Sequence, residues 1–160
     1  MDGVDLAILH KLRDRGRLAL SALSEAVHAS RTNVHGRLKR LHDDGVITGY
    51  HAEFDPKRVG LELAALILIG VDQTRLTELR ETLDTIPEIE MWGLTLGEYD
   101  GFVYVRVGHN DDLRDLIVNG IRDVPGVTKT MTILVIDESR YRQALPATLP
   151  TSNRAVGERT

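Results

Sequence analysis

The sequence predicts an α+β chain in two parts, three short helices followed by a β-α-β-β-α-β unit. Three observations carry this prediction. Apolar residues recur at helical spacing through the first 45 residues. After Asp55-Pro56-Lys57 they give way to short apolar runs that alternate with helical stretches. Charge divides at the same place: residues 1–58 hold ten Lys/Arg against eight Asp/Glu, residues 59–160 hold ten against sixteen, and five of the six His lie in the first part. Within a chain of net charge −4, the stretch from Ser30 to Leu41, SRTNVHGRLKRL, carries four Lys/Arg, one His and no acid. A basic helix in an acidic chain suggests a surface made for a polyanion, DNA above all.

The elements follow in order. Val4, Ile8, Leu9 and Leu12 share one helical face, and Gly16 ends the segment. Leu20, Leu23 and Val27 line a second short helix, His28-Ala29 form a turn, and Ser30 caps a third helix whose inward stripe is Val34, Leu38 and Leu41. Asp43-Asp44-Gly45 stops it. Two helices joined by a short turn, the second one basic, make a helix-turn-helix. Val46 to Phe54 reads as a two-stranded wing broken near Gly49, which completes a winged helix-turn-helix over residues 1–54 with a linker at 55–62.

Leu63 to Val71 is an apolar strand of the buried type, and Leu76, Leu79, Leu83 and Ile86 define a helix that ends at Pro87. Strands are expected at Ile89–Leu96 and Phe102–Val107, separated by a turn at Gly97-Glu98-Tyr99-Asp100-Gly101. Leu113, Leu116, Ile117 and Ile121 give a second helix ending at Pro125-Gly126, and Val127–Ile136 is the last strand. This order, over residues 63–138, is that of the ferredoxin-like fold. Residues 139–160 form a C-terminal extension, and its polar, aperiodic tail from Pro146 is expected to be disordered.

Composition narrows the function. There is no cysteine, so thiolate metal sites and disulfides are excluded. The histidines show no metal-ligand spacing, and no G-x-S-x-G elbow or phosphate-cradling loop is present, so neither an enzyme nor a metal or cofactor site is expected. The first residues, MDGVDLAILHK, lack a basic n-region, and the longest apolar run is too short to span a bilayer; a cytoplasmic protein with no membrane partner is expected. Gly101–Val107 resembles an RNA-recognition strand in position, but Asp100, Val103 and Val107 replace its basic, small and aromatic residues.

On the basic helix, Thr32, Gly36, Lys39 and Arg40 point most directly outward, with Asn33 and His35 beside them and Arg31 and Arg37 flanking the buried stripe. Arginine can pair bidentately with guanine, and asparagine with adenine. Lys39 and Arg40 are better placed for phosphates. The alternative is a solvated amphipathic helix, which the preceding helix and the absence of acid disfavour. Gly36 either lets the helix approach the groove floor or is simply tolerated.

The whole pattern resembles the Lrp/AsnC (feast/famine) family of transcriptional regulators. Asp2-Gly3-Val4-Asp5-Leu6-Ala7-Ile8-Leu9 resembles its opening D-x-x-D-x-x-I-L, and Ser30-x-Thr32-x-Val34-x-x-Arg37-Leu38-Lys39-Arg40-Leu41 its recognition helix. Gly45-Val46-Ile47 with Gly49-Tyr50, the turn Gly97-Glu98-Tyr99-Asp100, and Pro125-Gly126-Val127 followed by Thr130 and Thr132 match further motifs in order. The resemblance implies a DNA-binding regulator with a C-terminal ligand-sensing (RAM/ACT-like) domain. It also implies a homodimer, which can assemble into an octamer, and a small effector, commonly an amino acid.

The residues expected to meet DNA are Ser30, Arg31, Thr32, Asn33, His35, Gly36, Arg37, Lys39 and Arg40. Those expected at the effector are Gly97, Glu98, Tyr99, Asp100, Thr130 and Thr132. Asp100 would face an ammonium or order its loop, and the two threonines could donate to a carboxylate. A metabolite-binding protein whose N-terminal part contacts protein is the alternative. Two departures from the family pattern stand out. His28 and Ala29 replace the turn's usual Gly and Leu, at a position open to positive φ, and Ala19 replaces the usual Ser/Thr cap.

Overall fold

A computed structural model describes residues 1–139 and 144–149. The chain divides into two compact units, one built on Met1–Glu53 and the other on Phe54–Ser139.

The first unit contains α1 (Gly3–Asp14), α2 (Leu20–Ala26) and α3 (Arg31–Asp43). The Asp2 carboxylate accepts from the backbone N–H groups of Val4 and Asp5, and the Asp5 carboxylate accepts in return from the Asp2 N–H, a reciprocal capping box. Ser30 Oγ accepts from Asn33 N at 3.2 Å, whereas Ala19 offers α2 no side-chain cap. In the turn, His28 adopts φ 52°, and the N–H groups of His28 and Ala29 close the last carbonyls of α2, at Glu25 and Ser24. Ile8, Leu23, Val27, Val34, Leu41 and Ile47 form the core, with Leu38 packed at its edge.

The expected wing over Val46–Phe54 is not formed; this segment contains no strand. Ile47 alone enters the core, while Val46, Tyr50 and Phe54 are exposed. Without an apolar face to bury, a two-stranded ribbon is marginal in water. The N–H groups of Val46 and Ile47 instead bond to Leu41 O and close α3.

The second unit begins with a 3₁₀ turn at Pro56–Val59, inside the expected linker. It then contains β1 (Leu63–Val71), α4 (Leu76–Leu83), β2 (Ile89–Leu94), β3 (Gly101–Val107), α5 (Asn110–Asp115) and β4 (Val127–Val135). The strands form one antiparallel sheet in the order β2-β3-β1-β4, the ferredoxin-like arrangement. Ala65, Ile67, Ile69 and Val71 of β1, with Val103, Val105 and Val107 of β3, pack against Leu79 and Leu83 of α4, Leu113 of α5, and Ile121 and Val124. Helices thus cover one face of the sheet.

The second helix is shorter than its apolar spacing suggested. After Asp115 the chain makes a π turn over Leu116–Gly120 and a 3₁₀ turn over Ile121–Asp123. Asn119 and Gly120 are poor helix formers, and the wider π turn followed by the tighter 3₁₀ turn still brings Ile121 into the core. The end of the polar tail, expected to be disordered, lies outside the described residues from residue 150 onward.

Candidate nucleic-acid interface and effector turn

Helix α3 buries Val34 and Leu41 completely and turns Arg31, Thr32, Asn33, His35, Gly36, Lys39 and Arg40 outward. Among the described residues Arg31 has no ion-pair partner. A Cβ built on Gly36 would meet nothing within 4 Å, so the helix backbone is bare there. Ser30 is occupied as the cap.

The remaining basic residues are already engaged within the unit. Arg37 Nη1 lies 2.6 Å from Asp2 Oδ2 and 2.8 Å from Asp5 Oδ1, and its Nε donates to Asn33 Oδ1 at 2.7 Å. Arg40 Nη2 reaches Asp5 Oδ2 at 2.7 Å, and Lys39 pairs with Asp43 at 2.6 Å on the exposed side. The Asp5 side chain has no solvent exposure. Burial pushes its carboxyl upward, but the hydrogen bonds from Arg37 and the Asp2 N–H, with the charge of Arg40, reverse this and hold it below the ordinary carboxylate range. Asp2 is held at about 2, first by the Asp5 N–H and then by Arg37, while Asp5 and Asp2 raise Arg37 in turn.

Asp5 is thus a structural partner of the interface that the sequence did not reveal. Its spacing from Asp2 reads as a helix cap, and nothing in the sequence joins it to arginines 32 and 35 residues away.

In the second unit the turn after β2 is tied down at Asp100. Its carboxylate accepts from Val71 N at 2.8 Å, its N–H donates to Ile69 O at 3.0 Å, and its carbonyl accepts from Thr95 N at 2.8 Å. The Tyr99 carbonyl accepts from Thr95 Oγ1. Lys129 Nζ donates to Glu98 O at 3.0 Å and lies 4.3 Å from the centroid of the Tyr99 ring. A Cβ on Gly97 would meet nothing within 4 Å, so the turn is open at that point.

On β4, Thr130 and Thr132 pair with Ile69 and Ile67 and so share the helix-covered face. Thr130 Oγ1 accepts from Arg122 Nε at 3.2 Å. Thr128 does not continue this row. The register shifts at Gly70/Val71, and a Cβ on Gly70 would lie 2.7 Å from Thr128 Oγ1. A shallow groove of about 360 Å³, lined by Arg122, Val127, Thr128, Lys129 and Thr130, runs beside these residues. Two cations and two hydroxyls suit an anionic group.

The opposite sheet face carries Leu66, Leu68, Phe102, Tyr104, Met131 and Ile133 at mutually paired positions, with no helix over it among the described residues. At its end Arg106 is 8% exposed and is held by Glu90 and Glu138, each at 2.7 Å, while Tyr104 OH also donates to Glu138. The bulge between Ile89 and Met91 turns Glu90 onto Arg106. Trp92 packs at the edge of the core, and its indole N–H donates to Asp84.

Among the described residues no group of three His, Asp or Glu could hold a metal ion, and no helix is long and apolar enough to cross a membrane.

Residues 1–42 match the model of the AsnC-type helix-turn-helix domain, and residues 64–145 match that of the Lrp/AsnC ligand binding domain. The chain is 31% identical to the HTH-type transcriptional regulator AldR of Mycolicibacterium smegmatis, over 88% of this chain and 84% of that one. It is also 31% identical to the DNA-binding transcriptional activator DecR of Escherichia coli, over 91% and 98%. Among solved structures it is similar to a transcriptional regulator of Neisseria meningitidis in complex with L-Met, with TM-score 0.85, 26% identity, and coverage of 91% of this chain and 96% of that one.

Proposed function

Because this chain belongs to the Lrp/AsnC family of transcriptional regulators, we propose that it reads operator DNA with α3 and answers to a small carboxylate-bearing effector, an amino acid in the first instance. The observation that carries the DNA reading is the outward row of Arg31, Thr32, His35 and the bare backbone at Gly36, on a helix fixed from behind by Val34 and Leu41. An exposed arginine near the start of a helix in the major groove suits a guanine edge, whereas Lys39 suits phosphate. The effector reading is supported by the Arg122, Lys129 and Thr130 groove beside the Gly97–Asp100 turn, and by the L-Met complex of the similar Neisseria protein.

The protein acts as a homodimer through the uncovered sheet face. Met131 and Ile133 are each more than 40% exposed there, in a continuous apolar row. A twofold dimer binds paired half-sites about one helical turn apart, or a multiple of that. In this reading it acts in the cytoplasm and needs neither a reaction of its own nor any cofactor beyond the effector.

The test is a gel shift with a duplex selected from a random pool by the wild-type protein. Arg31→Ala should lose discrimination for that duplex, and Lys39→Ala should weaken binding to all sequences alike. Equal binding by both variants and wild type refutes the assignment of α3. A thermal-shift screen of the twenty amino acids tests the effector, since a ligand of the native state raises apparent stability. No shift with any of them refutes the amino-acid reading.

A further inference from the structure

Helix α3 carries four cations, but they are not equally available to DNA. Arg31 is exposed and has no ion-pair partner among the described residues. Lys39 is paired only with the exposed Asp43, a contact that water and salt screen. Arg37 and Arg40 are held from behind by α1. Arg37 is bound by both Asp2 and Asp5, and its side chain is only 19% exposed. Arg40 is bound on one side by Asp5 and half exposed on the other. Both oxygens of the Asp5 carboxylate are taken, and none of its side chain reaches solvent. A phosphate on the DNA side has no access to Asp5, and a pair with one buried member is screened little by salt.

Sequence-independent affinity for DNA grows with the number of phosphates neutralised, whereas specificity is the ratio of specific to non-specific binding. We propose that Asp5, assisted by Asp2, is a positioning residue for sequence discrimination. By holding Arg37 and one side of Arg40, it withholds phosphate attraction from α3 and leaves Arg31, Thr32, His35 and the bare backbone at Gly36 to meet the bases. The same clamp fixes Asn33 through its bond from Arg37. The inference rests on α3 being the helix that enters the groove.

The experiment uses the full chain and the variants Asp5→Asn, Asp2→Asn and Arg31→Ala. Asparagine at position 2 keeps a competent cap, so Asp2→Asn guards against the failure of Asp5→Asn to fold. Affinity is measured for the selected duplex and for an unselected duplex of equal length, between about 50 and 200 mM salt.

Release of one or two arginines onto phosphates should steepen the dependence of log affinity on log salt by about one to two. Asp5→Asn should therefore bind the unselected duplex several-fold tighter, and discrimination should fall about tenfold, in line with the loss of roughly one base-pair preference. Asp2→Asn should move both quantities the same way by less. A merely structural role would weaken both duplexes alike without steepening the slope, and that result overturns the proposal, as does an unchanged slope and ratio in both Asp variants. If Arg31→Ala leaves selected-duplex binding undiminished, the α3 assignment itself fails. If Arg31→Ala weakens it while the Asp variants change nothing, only the role of Asp5 fails.

Discussion

Asp100 lies in the turn proposed to meet the effector, yet its carboxylate is already committed to the backbone. It accepts from Val71 N at 2.8 Å, at the end of a strand where Val71 is 7% exposed. Asp100→Ala removes the acceptor and leaves a buried N–H without a partner. An orphaned buried donor costs about 1–3 kcal/mol, and a bond to a charged acceptor has a net worth in the same range, so about 2 kcal/mol is expected. For a unit of this size that is a fall in Tm on the order of 10 °C. Asp100→Asn keeps an acceptor and loses only the charge, so its effect should be about half.

Two assays check this. Thermal unfolding followed by circular dichroism gives the order wild type, Asn, Ala. Amide hydrogen exchange at Val71 should accelerate by about one to two orders of magnitude in the Ala variant, and β3 amides that exchange only when the whole unit opens should accelerate by a similar factor. An unchanged transition and unchanged Val71 exchange in Asp100→Ala would refute the reasoning and return the carboxylate to the effector. Equal damage from Ala and Asn would refute the hydrogen-bond account specifically.

Other outcomes follow from single residues. His28→Gly should stabilise the first unit by up to about 1 kcal/mol, because glycine adopts φ 52° without strain, whereas the β-branched His28→Val should destabilise it by at least about 1 kcal/mol; denaturant melts of the two variants decide this. Glu138 is held at about 2, first by Arg106 and then by Tyr104 OH, against an ordinary 4.5. Its folded value is depressed, so its contribution is complete above about pH 4.5 and is lost as pH falls toward 2, and Glu138→Gln should flatten that part of a stability-against-pH curve. Tyr104 is pushed up to about 12 by burial and by Glu138. Its contribution is complete below about pH 10 and is lost as pH rises toward 12; in an ultraviolet phenolate titration one tyrosine of four should ionise last, and Tyr104→Phe should remove that step.

What could be read in the sequence tracks how local the governing physics is. Leu63–Val71 appears as a strand over the expected residues because an unbroken apolar run of that length, flanked by Glu62 and Asp72, has few other uses. The stripe Val34, Leu38, Leu41 is a periodicity, and Ser30 a cap, so both are visible without tertiary information. The wing is absent because a β-favouring composition at Val46–Phe54 does not make a ribbon when neither face has an apolar surface to bury. Simple alternation along β4 would place Thr128 on the face of Thr130 and Thr132, and the register shift opposite Gly70 breaks that ladder. Least legible were the long-range charges. Asp2, Asp5, Arg37 and Arg40 look like a cap and a basic patch until the fold brings them together, and the Glu90 bulge that meets Arg106 leaves no mark in the sequence at all.

Trp92 is the only tryptophan in the chain and sits on β2 of the Phe54–Ser139 unit. Excitation selective for indole is therefore blind to the helices that carry the residues proposed to face DNA. DNA bound to the first unit can change that emission only if binding is felt in the second. A titration of the full chain with DNA, read at this one fluorophore, is then a direct measure of communication between the halves. By thermodynamic reciprocity, the factor by which an effector shifts DNA affinity in that titration must equal the factor by which DNA shifts the affinity for the effector.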